Sequence, residues 1–294
     1  MTHDVIYRRR LTIGIKDSRF AGYISLVEKD SLVVQFWGVR GGIACPGRET
    51  VRYGGNTACL LITCGDHKMI FDAGTGIRFL GADLIKQSPV SADIFFSRTS
   101  FERICGVPFF AAGYHPANRF CFWGDHQHEG ESVRDALVNL MSDPVFPVPI
   151  DIMGATLEFS DFKTGETLHP ADGITITTVA LNKSIKVTGY RVNWRGKSVA
   201  YASDLIHGEE GDEAATLQLL DGADMAILNT ARHAGEGANW RNSMQLCDDA
   251  GVTTCVLYHH NPDRDDKDMD AIADEAETTR PGTVVAREGM VLKL

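Results

Sequence analysis

Short apolar segments bounded by turns recur along the chain, and they restrict it to folds in which the sheets are buried. In the first half they read LVVQFWG, TACLLITC, KMIFDAG and ADIFFS. Several are rich in β-branched or aromatic residues, which is typical of strands. The second half adds the strand candidates ATLEFSDF, ITITTVAL, TGYRVNW, KSVAYASD, ADMAILNT and VTTCVLYHH.

Segments with helical periodicity lie between these strand candidates. In GIRFLGADLIKQ, Ile77, Leu80 and Leu84 recur at the spacing of one helix face, as do Val133 and Leu137 in GESVRDALVNLMSD. Further helices are predicted in EEGDEAATLQLL, WRNSMQLCDDAG and DKDMDAIADEAETT. Because strands and helices interleave in both halves, we expect an α/β fold whose helices cover buried sheets.

Length and charge limit the number of domains and the kinds of partner. The chain has 294 residues, of which 44% are apolar, and a net charge of -10. We expect residues 33–294 to form one domain, preceded by an extension over residues 1–32 that is an arm or an extra strand. The acidic balance argues against a general nucleic-acid surface, although it leaves room for a local basic pocket.

Cysteine usage and hydropathy indicate the compartment. The cysteine count is 7, which is odd, and no CxxC pair occurs, so neither a disulfide framework nor a zinc ribbon is predicted. The arginines of the N-terminal segment are followed by no long apolar run, unlike a secretory signal. No run approaches the roughly 18–20 apolar residues of a membrane span. We therefore expect a cytoplasmic protein without a membrane partner.

Several longer motifs resemble a known group of proteins. Residues 36–62, FWGVRGGIACPGRETVRYGGNTACLLI, and residues 70–81, IFDAGTGIRFLG, resemble the opening of metallo-β-lactamase-fold hydrolases of the ribonuclease Z-like and phosphodiesterase-like branch. The motifs GVPFFAAGYHPANRFCFWG, FPVPIDIMGATLEF, GYRVNWRGKSVAYASD and LYHHNPDRDD continue the resemblance in the same order. It implies a four-layer αβ/βα sandwich with the active site at one edge, between two facing sheets.

The resemblance also implies where metal ligands would stand. Hydrolases of this kind carry a His-x-His-x-Asp-His loop after the strand that ends near Ser97. Two metal ions then lower the pKa of a bridging water to make hydroxide. Carried onto this sequence, the four ligand positions of that loop hold other residues, namely Arg98, Ser100, Glu102 and Arg103.

The later ligand positions are partly retained. The next histidine position falls on Lys183, whereas the bridging aspartate is present as Asp204. The last histidine is present as His259, with His260 as the alternative. A further histidine position before the last helix falls on Arg241. Elsewhere, His126 and His128 form an HxH pattern, which alone is a weak indication of an unrelated metal site.

Arginine at these positions changes the expected chemistry. A guanidinium keeps its proton in proteins and offers no lone pair to a metal, and its charge repels a divalent cation. We therefore expect no metal cofactor. The alternative is zinc or another divalent ion at Asp204 and His259.

The cationic side chains at the expected ligand positions allow two interpretations of the cleft. In the first, they pair with the carboxylates of Asp204, Glu102 and Asp72 and close the expected metal site, because an unpaired buried charge is costly. Alternatively, they form an electropositive pocket for a phosphate, nucleotide or carboxylate, which suits the fork geometry of arginine. Asp72 is expected to hold the loop by hydrogen bonds to Arg98 or Arg103.

These observations favour a catalytically degenerate binding or regulatory module for an anionic small molecule or a protein partner. The alternatives are a metal-dependent hydrolase, such as a phosphodiesterase, with unconventional ligands, or a structural scaffold with a closed cleft. A homodimer stays open in each case. The residues expected at the ligand are Arg98, Ser100, Glu102, Arg103, Lys183, Asp204, Arg241 and His259, with Asp72 and His260 supporting them.

Overall fold

The strands form two sheets. The computed structural model describes residues 12–15, 30–125, 132–182, 186–205, 212–230 and 239–294, so Lys183, His126 and His128 lie outside the described residues. One sheet has eight strands in the order β1-β15-β2-β3-β4-β5-β6-β7, and the other has seven in the order β14-β13-β12-β11-β10-β9-β8. The strands are β1 Thr12–Ile15, β2 Leu32–Gly38, β3 Cys59–Cys64, β4 His67–Phe71, β5 Ser91–Phe95, β6 Arg119–Asp125, β7 Thr156–Phe162, β8 Thr167–Leu168, β9 Ile174–Ala180, β10 Thr188–Trp194, β11 Lys197–Ala202, β12 Met225–Asn229, β13 Thr254–Tyr258, β14 Val284–Val285 and β15 Met290–Lys293.

Helices follow the predicted segments. The helices are α1 Ile77–Leu84, α2 Phe101–Ile104, α3 Val133–Leu140, α4 Glu213–Leu220, α5 Asn239–Asp249 and α6 Asp266–Thr279. Each predicted strand and helix overlaps an observed element of the same type, so those predictions are confirmed. The helix α2 was not predicted and occupies a stretch expected to be loop, and β6, β8, β14 and β15 were not among the strand candidates. One turn is too short to show helical periodicity in a sequence.

Side-chain alternation along the strands builds a four-layer sandwich. Leu60 and Ile62 pack with Ile176 and Ile227 of the other sheet, in a core between the two sheets. Their neighbour Leu61 faces the opposite way. It belongs to a second core, which α1 and α3 cover. A third core lies between the seven-stranded sheet and α4, α5 and α6. The predicted αβ/βα architecture is confirmed.

The N-terminal extension contributes a strand to this architecture. β1 pairs antiparallel with β15 at the edge of the eight-stranded sheet, while β2 begins at Leu32. The division of the chain at residue 32 remains a prediction. No helix within the described ranges combines the length and the apolar character that a membrane span requires.

Candidate functional site

Three strand ends bring site residues together at one edge of the two sheets. Asp72 follows β4, Asp204 lies two residues after β11, and His259 follows β13. All three have positive φ angles, of 59°, 64° and 53° respectively. This left-handed conformation costs a non-glycine residue about 1–3 kcal/mol and tends to occur at functional sites. Its recurrence at three strand ends therefore indicates that the surrounding contacts hold these side chains in place.

A glycine lets the chain pass close to one of these side chains. A Cβ atom on Gly41 would lie 2.4 Å from the His259 ring. Any larger residue at position 41 would therefore displace the ring. The main-chain N–H of Gly41 donates to the carbonyl of His260 at 2.9 Å, which ties the two segments together.

Arg103 of α2 lies at the centre of the group and is fully buried. Its Nη1 atom is 2.5 Å from Asp72 Oδ2, and its Nη2 atom is 2.7 Å from Asp204 Oδ2. Nη1 also donates to the hydroxyl oxygens of Tyr201 and Ser203, both at 2.9 Å. Burial alone would lower the pKa of Arg103, but the carboxylates of Asp204 and Asp72 raise it well above its ordinary value. The guanidinium is therefore charged and held by several partners at once.

The same guanidinium contacts the ring of His259. Arg103 Nη2 lies 2.9 Å from His259 Nε2. Because a guanidinium N–H can only donate, Nε2 must accept this hydrogen bond with its lone pair. The ring proton then resides on Nδ1, which lies 3.3 Å from Asp204 Oδ1. The lone pair that a metal would bind is thus engaged by arginine.

Glu102 closes the group on its outer side. Its Oε1 lies 3.5 Å from Arg103 Nε, and its Oε2 lies 3.4 Å from His259 Nε2. Oε2 also accepts the main-chain N–H of Gly42. Burial alone would raise the pKa of Glu102, but the charge of Arg103 and the hydrogen bond from the Gly42 amide lower it well below its ordinary value. Glu102 is therefore an ionised third carboxylate around Arg103.

Asp72 fixes the start of the loop that carries Arg103. Its carboxylate accepts the main-chain N–H of Ser97 at 2.8 Å and the Ser97 hydroxyl at 2.9 Å. It also accepts the Tyr201 hydroxyl at 2.6 Å. Of the two alternative partners expected for Asp72, the structure supplies Arg103. The carboxylate thus joins the end of β5, α2 and β11.

The remaining predicted residues occupy different environments. Arg98 is half-buried, and among the described residues no ion pair or hydrogen bond involves its guanidinium. Ser100 precedes α2, and its buried hydroxyl has no hydrogen-bond partner among the described residues. Arg241 is ion-paired with Glu275 on the helix surface. The structure therefore does not bring Arg241 into the group around Arg103.

His260 lies behind the site and is fully buried. Its Nε2 donates to the carbonyl of Ala286 at 2.8 Å, and its Nδ1 lies 3.0 Å from the Thr230 hydroxyl. Burial, reinforced by the charge of Arg40, lowers the pKa of His260 to about 3. His260 is therefore a neutral side chain that anchors the segment after β13, while His259 faces the site.

The sequence analysis did not identify the hydroxyl groups that contact Arg103, which belong to Tyr201 and Ser203. Both lie in YASD, immediately before Asp204. The alternation of a strand places Tyr201 and Ser203 on the same side. That spacing could have suggested Tyr201 and Ser203 as neighbours of the loop after β5. Gly42 gave no comparable signal, since its role is a main-chain contact.

The donor set does not fit a divalent ion while Arg103 is in place. Glu102, Asp204 and His259 each offer a ligand atom, and these atoms lie within 4.8 Å of one another. Zinc would require ligand distances of about 2.0–2.2 Å. Such an ion would share the space between Asp204 and His259 with a guanidinium that contacts both at 2.7 and 2.9 Å. Repulsion between the two cations at this range opposes metal binding.

Comparison with solved structures identifies the class of fold. The chain has the metallo-β-lactamase fold, as five solved structures that align with it over most of its length do. No protein-family model matches the chain, and no curated protein does either.

Three of these structures illustrate the range of the fold. The metallo-β-lactamase fold protein YhfI from Bacillus subtilis has a TM-score of 0.66 and 16% identity, with 90% of this chain and 100% of that chain covered. A diphosphatase from the PhnP family has a TM-score of 0.63 and 14% identity, covering 88% and 96%. Zinc-bound PqqB from Methylobacterium extorquens has a TM-score of 0.60 and 16% identity, covering 89% and 100%. At these identities the likeness establishes the fold alone.

Proposed function

We propose that this chain is a catalytically degenerate member of its fold class, a metal-independent binding or regulatory module. The observation that supports this proposal is the position of Arg103. Its guanidinium lies 2.7 Å from Asp204 Oδ2 and 2.9 Å from His259 Nε2, the atoms that would ligate a metal. Without metal at these atoms, the cleft has no means of lowering the pKa of water to make hydroxide.

The charges around Arg103 support a closed centre at this position. One guanidinium is surrounded by the carboxylates of Asp72, Asp204 and Glu102. The summed charge of these groups is negative, so Arg103 itself offers no attraction to an anion. This arrangement corresponds to the sealed interpretation of the cleft at Arg103.

Arg98 is the residue that we propose binds an anionic ligand. It lies at the start of the same loop, half-buried, and the described residues supply it with no counter-charge. A guanidinium without a counter-charge among the described residues can bind a phosphate or nucleotide-like group, which it contacts through two N–H donors. Lys183, a protein partner and a homodimer stay part of the proposal as predictions. A cytoplasmic location also remains a prediction, with which the seven free cysteines agree.

Metal content and hydrolysis test the proposal directly. The chain should be purified without chelator and analysed by elemental mass spectrometry, and then assayed on bis(p-nitrophenyl) phosphate with added zinc, manganese or iron. We expect far less than one ion per chain and no hydrolysis above buffer. One firmly held ion per chain, with activity that a chelator removes and zinc restores, would refute it.

Thermal stability in the presence of anions tests the ligand. The probes are inorganic phosphate, pyrophosphate and AMP. Arg98→Gln is compared with Arg48→Gln, a change at an exposed arginine outside the loop after β5. A ligand at 100 times its dissociation constant adds about 2.7 kcal/mol of stability. We expect Arg98→Gln to abolish the shift and Arg48→Gln to retain it. An equal shift in both variants would remove Arg98 from the proposal.

A hydrolase with unconventional ligands is the second candidate, favoured by the proximity of Glu102, Asp204 and His259. It requires Arg103 to move away from the ligand atoms when metal binds. The elemental and activity measurements decide between the two candidates, because only the hydrolase gains activity with metal.

A further inference from the structure

A cavity lies beside the closed centre, with Glu102 as the wall between them. Its volume is about 340 Å³. This is at the small end of the range of about 300–1,000 Å³ that is usual for ligand pockets. Its lining includes Ile43, Thr75, Arg78, Phe101, Cys105 and Phe109.

The walls of the cavity are apolar side chains that the fold leaves accessible. Ile43 is 66% exposed, Phe101 is 69% exposed and Phe109 is 57% exposed. Phe109 packs edge-on against Phe146, with ring centroids 5.8 Å apart. Large apolar side chains gathered around a concavity mark a binding site more often than isolated exposed ones do.

The polar groups at the floor are already satisfied within the protein. The Thr75 hydroxyl accepts the main-chain N–H of Thr57 at 2.9 Å and donates to Asn56 Oδ1 at 3.0 Å. The Thr57 hydroxyl in turn accepts the N–H of Thr75 at 2.8 Å. The Glu102 carboxylate is engaged by the Gly42 amide and by Arg103. A ligand in the cavity can therefore pack against the apolar walls without leaving the threonine hydroxyls or the Glu102 carboxylate unpaired.

Arg78 supplies positive charge at this cavity. It is exposed on α1, and its Cζ atom lies 5.0 Å from the centroid of the Phe79 ring. No ion pair of Arg78 occurs among the described residues. The lining thus combines apolar walls, the exposed Arg78 and the Glu102 carboxylate, which the Gly42 amide and Arg103 already engage. On the Arg78 side, the cavity is complementary to a ligand with an apolar body and one negative group.

We propose that this cavity binds a small aromatic or otherwise flat apolar acid, whose anionic group contacts Arg78 and whose body packs between Phe101 and Phe109. The inference rests on the proposed binding role and names the chemical class of a ligand for it. Burial of the apolar body supplies most of the binding free energy. The ion pair with the exposed Arg78 selects the acid over a neutral analogue.

Binding of two matched probes tests this inference. 1-Naphthoate and the neutral 1-naphthamide should be titrated into the full chain by calorimetry. We expect naphthoate to bind about two- to fivefold more tightly than naphthamide, the ratio that an exposed ion pair supplies. Arg78→Gln should remove this preference, whereas Arg48→Gln should keep it. Phe109→Ser should weaken both probes, whereas Val145→Ser, at an exposed residue outside the cavity lining, should weaken neither.

Alkylation of cysteine reports whether the probes occupy this cavity. Cys105 lines it, while Cys121 lies on β6 and serves as the reference. Burial raises the pKa of both thiols, so the reaction with iodoacetamide should be followed at alkaline pH by mass spectrometry. We expect naphthoate to slow modification of Cys105 and to leave Cys121 unchanged.

Three results would overturn the inference. They are no binding of either probe, binding that Arg78→Gln and Phe109→Ser leave unaltered, and sedimentation showing a dimer that protects Cys105 without a probe. The last result would assign the cavity to a second copy of the chain. Each differs from failure of the proposed metal-independent role, which is measured by metal content and hydrolysis.

Discussion

The closed centre and the cavity beside it are built from consecutive residues of one short helix, yet they have opposite properties. In α2, Phe101 is 69% exposed and contributes to the cavity, whereas Arg103 is fully buried in the centre. Glu102 lies between them and contributes to both. Successive side chains of a helix point about 100° apart, so one turn can serve two different surroundings.

The difference shows how the two regions use charge. In the centre, one cation is matched by several carboxylates and hydroxyls. In the cavity, the cation Arg78 has no counter-charge among the described residues. A buried charge must be paired within the fold, whereas an exposed charge is stable in water without a partner. Arg103 therefore stabilises the folded chain, while Arg78 is accessible to the ligand that we propose.

The largest expected effect comes from breaking the centre at Arg103. Arg103→Met leaves the carboxylates of Asp72 and Asp204 buried without their counter-charge, and such a loss costs about 3–5 kcal/mol of unfolding free energy. Urea denaturation measures it. The double variant Arg103→Met with Asp72→Asn should recover part of the stability. A loss below about 1 kcal/mol, as for a surface ion pair, would contradict the closed centre.

Removing one hydroxyl from the centre should have a smaller effect. Tyr201→Phe deletes the donor to Asp72 and the acceptor for Arg103, at 2.6 and 2.9 Å. Hydrogen bonds to charged groups contribute about 1.5–3 kcal/mol, so we expect a loss in that range by urea denaturation. Tyr114→Phe is the matched control, because its hydroxyl donates to the neutral carbonyl of Pro108 and has no charged partner in the described part of the chain. Equal losses in both variants would show that Tyr201 does not support the ion pairs.

The pH dependence of the free energy of unfolding should reveal the contribution of His260, which is buried behind the closed centre. The pKa of His260 is lowered to about 3, so below about pH 6.5 the unfolded chain takes up a proton that the folded chain does not. This group therefore lowers stability as the pH falls from about 6 towards 3, by about 1.4 kcal/mol per unit. His260→Gln keeps a donor and an acceptor but cannot titrate. Its stability should fall less steeply over that range, and an identical slope would exclude this contribution.

The smallest expected effects are at the half-buried Arg98 and the exposed Phe109, which lie outside the closed centre. Arg98→Gln and Phe109→Ser should each change the free energy of unfolding by less than about 1 kcal/mol, as substitutions away from buried features usually do. The comparison of Arg98→Gln with Arg103→Met is the sharper one, because both remove an arginine from the same loop. A large loss in Arg98→Gln would mean that Arg98 is also part of the closed centre.

The layered α/β fold could be predicted because its signals are local. Strands such as LVVQFWG and helices such as DKDMDAIADEAETT carry their periodicity in consecutive residues, and the structure confirms both. The strand-end positions of Asp72, Asp204 and His259 could likewise be read from the motifs. The short helix α2 could not, because one turn leaves no period to detect.

The sequence by itself determined that Arg98 and Arg103 follow β5, at positions to which the resemblance assigns metal ligands. Only the tertiary structure decided which cation is buried and which has no counter-charge among the residues that the structure describes. Arg103 meets Asp72, Asp204 and His259, which are 31, 101 and 156 positions away along the chain, whereas Arg98 meets none of them. The outcome depends on the direction in which each side chain leaves its backbone and on the charges that the sheets bring to that place. Neither quantity is encoded in the spacing of residues along the chain.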